Sequence, residues 1–338
     1  MEKTILNYKI YDTFDGERNS KPLSELCLDL LSDQKENWQN LKDGYKTLKI
    51  VRERDISCNG FSVRLQFNPG RMKSSTANAR GEDTKERRCF LCQDHLPDDQ
   101  KGILYRNEYL ILCNPMPVFT SHFTVSHIDH RRQSISENIE SFLQMMVDLG
   151  VGWTLLYNGP KCGASAPDHL HFQVVPSRRM PIEKGIEGQK RLTIAAKPDG
   201  VSLHRLLDFG REAIMLEGVD PSAVGKLFKS LLEGLLSISD LIEDEPMVNL
   251  LGFYKRKKWH LVVFPRRKHR PDIYFKEGDA RIVVSPGAID MGGVLITPVV
   301  KDFERLDKAA VESIYGEVSL EGEIVGKAID SILEQGNS

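Results

Sequence analysis

Apolar residues recur at helical spacing near the start of the chain. Leu23, Leu26, Leu30 and Leu31 lie within "LSELCLDLLSDQKENWQNLKDGYKTL", which predicts a helix over residues 22–48. "FSVRLQF" (61–67) alternates and predicts a strand. The stretch that follows, "NPGRMKSSTANARGEDTKERR", is polar, contains glycine and has no period, so it reads as a long loop of the kind that often carries function. "EYLILCN" (108–114) and "HFTVSH" (122–127) predict short strands. "ISENIESFLQMMVDLG" predicts a helix with Ile139, Phe142, Leu143 and Met146 as its stripe, Ser134 or Ser136 as cap and Gly150 as stop. "GWTLLYN" (152–158) and "HLHFQVVP" (169–176) predict strands around the turn-rich "GPKCGASAPD". Beyond them, strands are expected at 247–254, 259–265 and 292–300, and helices at 203–216, 220–239 and 307–315. Antiparallel strands joined by hairpins, with a helix on one face, make an α+β protein. "HFTVSHIDHRRQ" and "WHLVVFPRRKHRPD" each run from an apolar strand into a basic, histidine-containing loop. A diverged tandem duplication is one reading of that echo.

One strand carries more chemistry than packing requires. In "DHLHFQVVP" alternation puts His169, His171, Gln173 and Val175 on one face and Leu170, Phe172 and Val174 on the other. A neutral imidazole at His171 can attack phosphorus, and Gln173 can donate its amide to a phosphoryl oxygen as charge develops. The preceding "NGPKCGAS" offers Gly159, Gly163, main-chain N–H groups and the Ser165 hydroxyl to phosphate oxygens. The plainer reading is two satisfied histidines on a half-exposed strand, which His-x-His-x-Gln after a Gly/Ser loop makes the weaker one. Cys89-x-x-Cys92 has the spacing with which two thiolates bind one zinc ion, although a redox dithiol or two buried thiols fit it too. A single knuckle supplies two ligands, and histidines are the natural source of two more. His130 stands at a strand-to-helix boundary, and His169 opens the motif strand.

The bulk numbers narrow the partners. A chain of 338 residues with 40% hydrophobic and 28% charged content reads as soluble and globular. A net charge of −2 argues against a dedicated nucleic-acid binder. No apolar run approaches the ~20 residues of a membrane span, so no membrane partner is expected. "MEKTILNYKIYDTF" has no signal core, and the 6 irregularly spaced cysteines do not look like a disulfide scaffold; a cytoplasmic protein is expected. "YKRKKWH" (254–260) and "PRRKHRP" (265–271) flank one strand and read either as phosphate-binding loops or as a solvated charged edge.

These motifs resemble the nucleotidyltransferase branch of the histidine-triad superfamily. That branch includes galactose-1-phosphate uridylyltransferase, diadenosine tetraphosphate phosphorylase and the GDP-hexose phosphorylases. Hydrolases of the superfamily carry a third histidine where this chain has Gln173, and glutamine is typical of the transferases and phosphorylases. "HLHFQ" looks most like the GDP-hexose phosphorylases, and the other segments look like the uridylyltransferase, in the same order. "NPGRMK" resembles its phosphate-contacting loop, falling on Arg71 with Lys73 nearby. "YRNEYLIL" resembles its nucleoside-binding segment, falling on Asn107, Glu108 and Tyr109. "CFLC" resembles its zinc knuckle and "HIDHRRQSI" the segment of its third zinc ligand, His130. Asn158 matches a phosphate-side asparagine, His169 the fourth zinc ligand and His171 the nucleophile. Asp168 stands where the uridylyltransferase has proline, and "GASAPDH" carries one residue more than the family's turn.

The resemblance implies an antiparallel histidine-triad-like sheet with helices packed on it. It implies an N-terminal segment (1–60), a catalytic half with the knuckle and motif (61–185) and a degenerate C-terminal half (186–338) with no second His-x-His. It implies structural zinc on Cys89, Cys92, His130 and His169. The reaction it implies is nucleotidyl transfer through a nucleotidyl-His171 intermediate. The donor is a nucleotide-sugar or dinucleoside polyphosphate, and the acceptor is phosphate or a sugar phosphate. A histidine-triad hydrolase and a non-catalytic zinc-containing nucleotide-binding protein stay open as alternatives, as does a homodimer.

Overall fold

The computed structural model describes residues 7–16, 19–76, 88–187, 191–194, 200–238 and 245–335. Residues 77–87 of the expected long loop, and residue 239 of the helix expected at 220–239, lie outside them. The strands are β1 (Ile10–Phe14), β2 (Arg52–Ser57), β3 (Ser62–Phe67), β4 (Gly102–Tyr105), β5 (Tyr109–Cys113), β6 (Phe123–His127), β7 (Trp153–Asn158), β8 (His171–Pro176), β9 (Arg191–Ile194), β10 (Ser202–Leu206), β11 (Ile214–Gly218), β12 (Val248–Lys255), β13 (Lys258–Pro265) and β14 (Val294–Thr297). The helices are α1 (Leu23–Asn37), α2 (Gln39–Thr47), α3 (Met72–Thr76), α4 (Ile139–Leu149), α5 (Pro181–Glu187), α6 (Pro221–Ile238), α7 (Ala288–Met291), α8 (Val300–Arg305), α9 (Lys308–Val318) and α10 (Gly322–Gln335).

An 11-stranded sheet runs in the order β1-β4-β5-β6-β8-β7-β12-β13-β11-β10-β9. Its two halves repeat one plan. Three meandering strands (β4–β6, or β9–β11) lead through a helix (α4, or α6) into a hairpin (β7–β8, or β12–β13) whose second strand pairs with the third of the meander. The halves meet where β7 and β12 pair antiparallel, with Leu156 opposite Leu251 at the centre. Register then fixes the equivalences. Gln173 lies opposite Leu156, and Val262 opposite Leu251. His171 lies opposite Ser126, and His260 opposite Glu217. The duplication suspected from the sequence is therefore real in topology, but it matches β8 to β13. The echo that aligned "HFTVSH" with "WHLVVFP" compared β6 with β13, which occupy different places in the repeat.

One face of the sheet is closed by α1, α4, α6 and α10 over a core that includes Tyr109, Val125, Phe172, Val174, Leu250 and Val263. Phe142 of α4 meets Phe172 edge-on at 5.2 Å between ring centroids. Burying an aromatic side chain of this size stabilises the fold by roughly 1.5–3 kcal/mol. The other face carries a second core. Leu156, Val175, Leu251, Val262 and Phe264 pack there beneath a 3-stranded sheet, β14-β3-β2, with α5 and α7–α9. The expected boundary at residue 60 cuts the β2–β3 hairpin, which pairs from Arg52↔Phe67 to Ser57↔Ser62.

Several elements differ from the expectation for local reasons. The helix expected at 22–48 is two helices, broken at Trp38, whose backbone is extended (φ −122, ψ 105) while its ring is buried. The helix expected at 203–216 is the β10–β11 hairpin. Asp208 and Gly210 both have positive φ in its turn, and Leu203, Ile214 and Leu216 lie in the core under α6. A turn with two residues at positive φ cannot continue a helix. The strand expected at 292–300 is shorter, since Val300 already opens α8. Neither Ser134 nor Ser136 caps α4, whose cap residue is Asn138. That segment is instead held by half-buried Glu245, which accepts from the Ile135 N–H at 2.6 Å, the Ser136 N–H at 3.3 Å and the Tyr157 hydroxyl at 2.6 Å.

Candidate functional site

β8 begins at His171, so His169 precedes the strand, and β6 sets polar residues beside it. Thr124 lies opposite Gln173 and Ser126 opposite His171, on the face away from Phe172. Gln133 pins the mouth of the β7–β8 pair. Its carbonyl accepts the His171 N–H at 2.8 Å, and its amide donates to His171 O at 3.0 Å and Asn158 O at 2.9 Å.

The His171 ring is 3% exposed. Its Nδ1 lies 2.8 Å from the His169 carbonyl, which only a protonated Nδ1 can satisfy, so the lone pair sits on Nε2. That Nε2 is buried and has no hydrogen-bond partner among the described residues. Burial lowers the ring's pKa and keeps it neutral. The geometry thus leaves a nucleophilic nitrogen with nothing to bond.

Gln173 is oriented by a residue the sequence reading passed over. His122 accepts the Val118 N–H at Nδ1 (3.2 Å), so its Nε2–H donates to Gln173 Oε1 at 2.7 Å. Burial first, and then the Arg71 guanidinium, push His122 down to about 3, which keeps it neutral. With its carbonyl held, Gln173 presents its NH₂ group as a donor. The signal was present in "HFTVSH", where His122, Thr124 and Ser126 alternate with Phe123 and Val125. Gln133 lies inside "HRRQSI", where no local pattern marks it.

Cys89, Cys92, His130 and His169 converge, with their four ligand atoms all within 4.8 Å of one another. Cys89 Sγ lies 3.3 Å from His169 Nδ1, Cys92 Sγ 3.2 Å from His130 Nδ1, and Cys92 Sγ 3.6 Å from His169 Nδ1. Ligands about 2.0–2.3 Å from a tetrahedral ion sit about 3.3–3.8 Å apart, so the cluster fits a metal. The far nitrogens are engaged as such a site needs. His169 Nε2 meets the His127 carbonyl at 2.8 Å and Ser126 Oγ at 3.0 Å, and His130 Nε2 meets Asp168 at 3.4 Å.

The other expected residues divide. Arg71 donates to Met116 O at 2.9 Å, and its charge bears on His122, so it stands on the Gln173 side of the site. Lys73 is exposed on α3, just after it. Asn107 (φ 55) and Glu108 are exposed in the β4–β5 turn. It lies at the end of the sheet where Tyr109 faces His127 and His127 N–H bonds Leu170 O. Tyr109 does not join them. Its ring is 1% exposed in the helix-side core, 5.8 Å from Phe172, because strand alternation turns it away from His171. Asn158 Oδ1 accepts from Asn249 Nδ2 (2.8 Å) and the Ala288 N–H (2.7 Å), which leaves the side-chain NH₂ group. Gly163 (φ +111) carries its loop past Gly287, whose Cα lies 3.1 Å from where a side chain would begin. Ser165 is exposed on the same loop.

The basic clusters are mostly spent on structure. Buried Arg266 donates to Val318 O at 3.1 Å, Pro286 O at 3.0 Å and the Asn249 side chain, which ties the 285–288 loop to Asn158. Lys268 pairs with Asp272 and Glu317, Lys255 with Glu187, and Lys258 with Glu217 at 2.7 Å. Arg270 reaches Ser285 Oγ at 2.9 Å and Ser75 O at 3.4 Å, bracing α3 behind Arg71. In the second half, Val262 stands in the place of Gln173. His260, in the place of His171, faces Glu217 at 3.3 Å and stacks on Phe253.

Residues 30–176 match a family described as "Domain of unknown function (DUF4922)". No curated protein matches the chain. Among solved structures it is similar to yeast Ap4A phosphorylase Apa2, with a TM-score of 0.59 and 16% identity over 88% of this chain and 94% of that one. The same protein with Ap4A gives a TM-score of 0.57 and 14% identity over 88% and 97%. With AMP it gives 0.52 and 17% over 86% and 96%. The chain therefore has a histidine-triad-like fold, laid out over nearly its whole length as in yeast Ap4A phosphorylase Apa2.

Proposed function

We propose that this chain is a nucleotidyltransferase of the phosphorylase type, acting on a dinucleoside polyphosphate or a nucleotide-sugar. One observation carries the reading: His171 Nε2 is buried, neutral and unpartnered among the described residues. In the first step Nε2 attacks the α-phosphorus. A P–N bond forms, the P–O bond to the leaving phosphate breaks, and a nucleotidyl-histidine results. Gln173, held by His122, donates to a non-bridging oxygen as negative charge builds. In the second step an oxygen of inorganic phosphate or a sugar 1-phosphate attacks the same phosphorus, and the P–N bond breaks. Arg71 and Lys73 offset phosphate charge. Gly163, Ser165 and the Asn158 NH₂ group serve the phosphate oxygens, while Asn107 and Glu108 border the nucleoside. Catalysis belongs to residues 61–185, and residues 186–338 support the substrate.

Cys89, Cys92, His130 and His169 hold zinc, in a structural role. His169 commits its Nδ1 to that cluster, so the nucleotidyl group is carried by His171 alone. Glutamine at 173 favours transfer to phosphate over the hydrolysis expected of histidine there. The test is a panel of diadenosine tetraphosphate, GDP-hexose and UDP-hexose, each with and without phosphate. Phosphate-dependent release of a nucleoside diphosphate is expected, together with an acid-labile nucleotidyl-protein that His171→Gly abolishes while fold and zinc persist. Phosphate-independent release of a nucleoside monophosphate would assign the hydrolase instead. A fully active His171→Gly protein would overturn the site.

A further inference from the structure

A cavity of about 580 Å³ opens between the β2–β3 turn, the segment from β8 into α5, and the β10–β11 turn. It lies well away from His171. β3 starts at this cavity with Ser62 and runs on to Asn68, whose amide bonds Pro117 O below His122. Six residues of strand span about 20 Å. Along β8 the separation is similar, since His171 opens the strand and Arg178 follows its end.

The lining is strongly cationic. Arg64, Arg178, Arg179, Lys184 and Arg211 face a single acid, Asp55. Two of the five are already matched, Arg64 with Asp55 at 3.0 Å and Arg178 with Glu187 at 3.4 Å. Arg179 and Lys184 are exposed and form no ion pair among the described residues. Arg211 is the unusual one, at 7% exposure. Its Nε donates to Met291 O and its Nη1 to Phe209 O, both at 2.6 Å. The rings of Tyr315 and Phe61 flank its guanidinium at 4.3 and 5.8 Å. Among the described residues, no carboxylate pairs with it, and its Nη2 makes no hydrogen bond.

Burying a guanidinium costs several kcal/mol unless charge and hydrogen bonds are both answered. Two carbonyls and two ring faces answer only part of that here. Three cations from two separate segments thus converge on one space whose single acid, Asp55, is already paired with Arg64. A phosphate group matches what is lacking, since its oxygens accept from a guanidinium fork and from an ammonium group at once. Phe61 supplies an apolar wall for an organic remainder.

We propose that this cavity is a second binding site, which takes the phosphate of a phosphorylated small molecule on Arg211, Arg179 and Lys184. Arg211 also holds two main-chain carbonyls, so the test reverses charge only at the exposed pair. Calorimetry uses inorganic pyrophosphate as the probe, in an Arg71→Gln, Lys73→Gln background that removes the phosphate cations of the His171 cleft, and in the same background with Arg179→Glu and Lys184→Glu. Binding is expected in the first protein and at least about tenfold weaker in the second, as loss of charge-assisted hydrogen bonds implies. Crystals soaked in tungstate are expected to show the oxyanion against Arg211. Equal pyrophosphate affinity in the two proteins, or tungstate found only at the His171 cleft, would overturn the proposal and leave the reading of His171 untouched.

Discussion

Two hydrogen bonds hold the chemistry of the site in register. His169 lends its carbonyl to His171 Nδ1, and His122 lends its Nε2–H to Gln173. Each bond settles which atom of its partner is left over for a substrate. His122→Asn tests the second bond, because an asparagine oxygen can still accept the Val118 N–H while falling short of Gln173. Activity is expected to drop about tenfold, the worth of one ordinary hydrogen bond, with the nucleotidyl-histidine still formed. Gln173→Ala, which removes the donor itself, is expected to slow formation of the intermediate by about 10²–10³-fold. Single-turnover rates with a labelled nucleotide substrate separate the two, and equal losses would mean that His122 does more than orient. Tyr109→Leu offers the opposite contrast. It should destabilise the core while leaving KM unchanged, since the ring packs on Phe172 and not in the cleft. A raised KM with normal stability would return Tyr109 to the nucleotide site.

At the scale of elements, the site depends on joints between strands. Gln133 bridges the ends of β7 and β8, where the strands part to admit the 159–170 loop. Gln133→Ala leaves the buried His171 N–H without its acceptor, so unfolding free energy should fall by about 1–3 kcal/mol. Denaturant titration checks this, and no change would show that the loop supplies another partner. The Cys89, Cys92, His130 and His169 cluster is the second joint. It ties the segment around Cys89 and Cys92 to His130, beyond β6, and to His169, ahead of β8. Metal analysis should find about one zinc per chain. Chelation or Cys92→Ser should lower the melting temperature before it changes the rate of the chemical step. A chelated protein with an unchanged melting temperature would contradict the structural role.

For the whole molecule, buried neutral histidines set a pH dependence. Burial, then the guanidinium of Arg71, takes His122 to about 3, and burial, then Arg270 and Arg266, takes His269 to about 3. In the unfolded chain both titrate near 6.5. Between those values the unfolded state binds more protons, so stability rises with pH there and is lost as pH falls from 6.5 toward 3. Asp290, raised by burial from 3.8 to about 6, acts in the opposite sense within its own window. The comparison is therefore between proteins. The loss of stability from pH 7 to pH 5 should be smaller in a His122→Asn, His269→Asn double variant than in the parent, read from denaturant midpoints. Parallel curves would mean that other groups dominate.

Sequence alone determined whatever depends on near neighbours. Alternation in "HLHFQVVP" put His171 and Gln173 on one face, and the Cys89-x-x-Cys92 spacing marked a ligand pair, because a strand's two-residue period and a knuckle's reach are local properties. The helix expected at 203–216 failed because the turn at Asp208 and Gly210 separates that segment into two strands. Everything set by pairing between distant segments waited for tertiary structure. Register turned Tyr109 into the core, fixed Asn158 against Asn249 and Ala288, and matched His171 with His260 across the two halves. The cations of Arg179, Lys184 and Arg211 lie far apart along the chain from the β2–β3 turn and Phe61, and no period links them. Hydrophobic burial of the two sheets against each other brought them around one cavity, with charges that no local pattern could show to be unanswered.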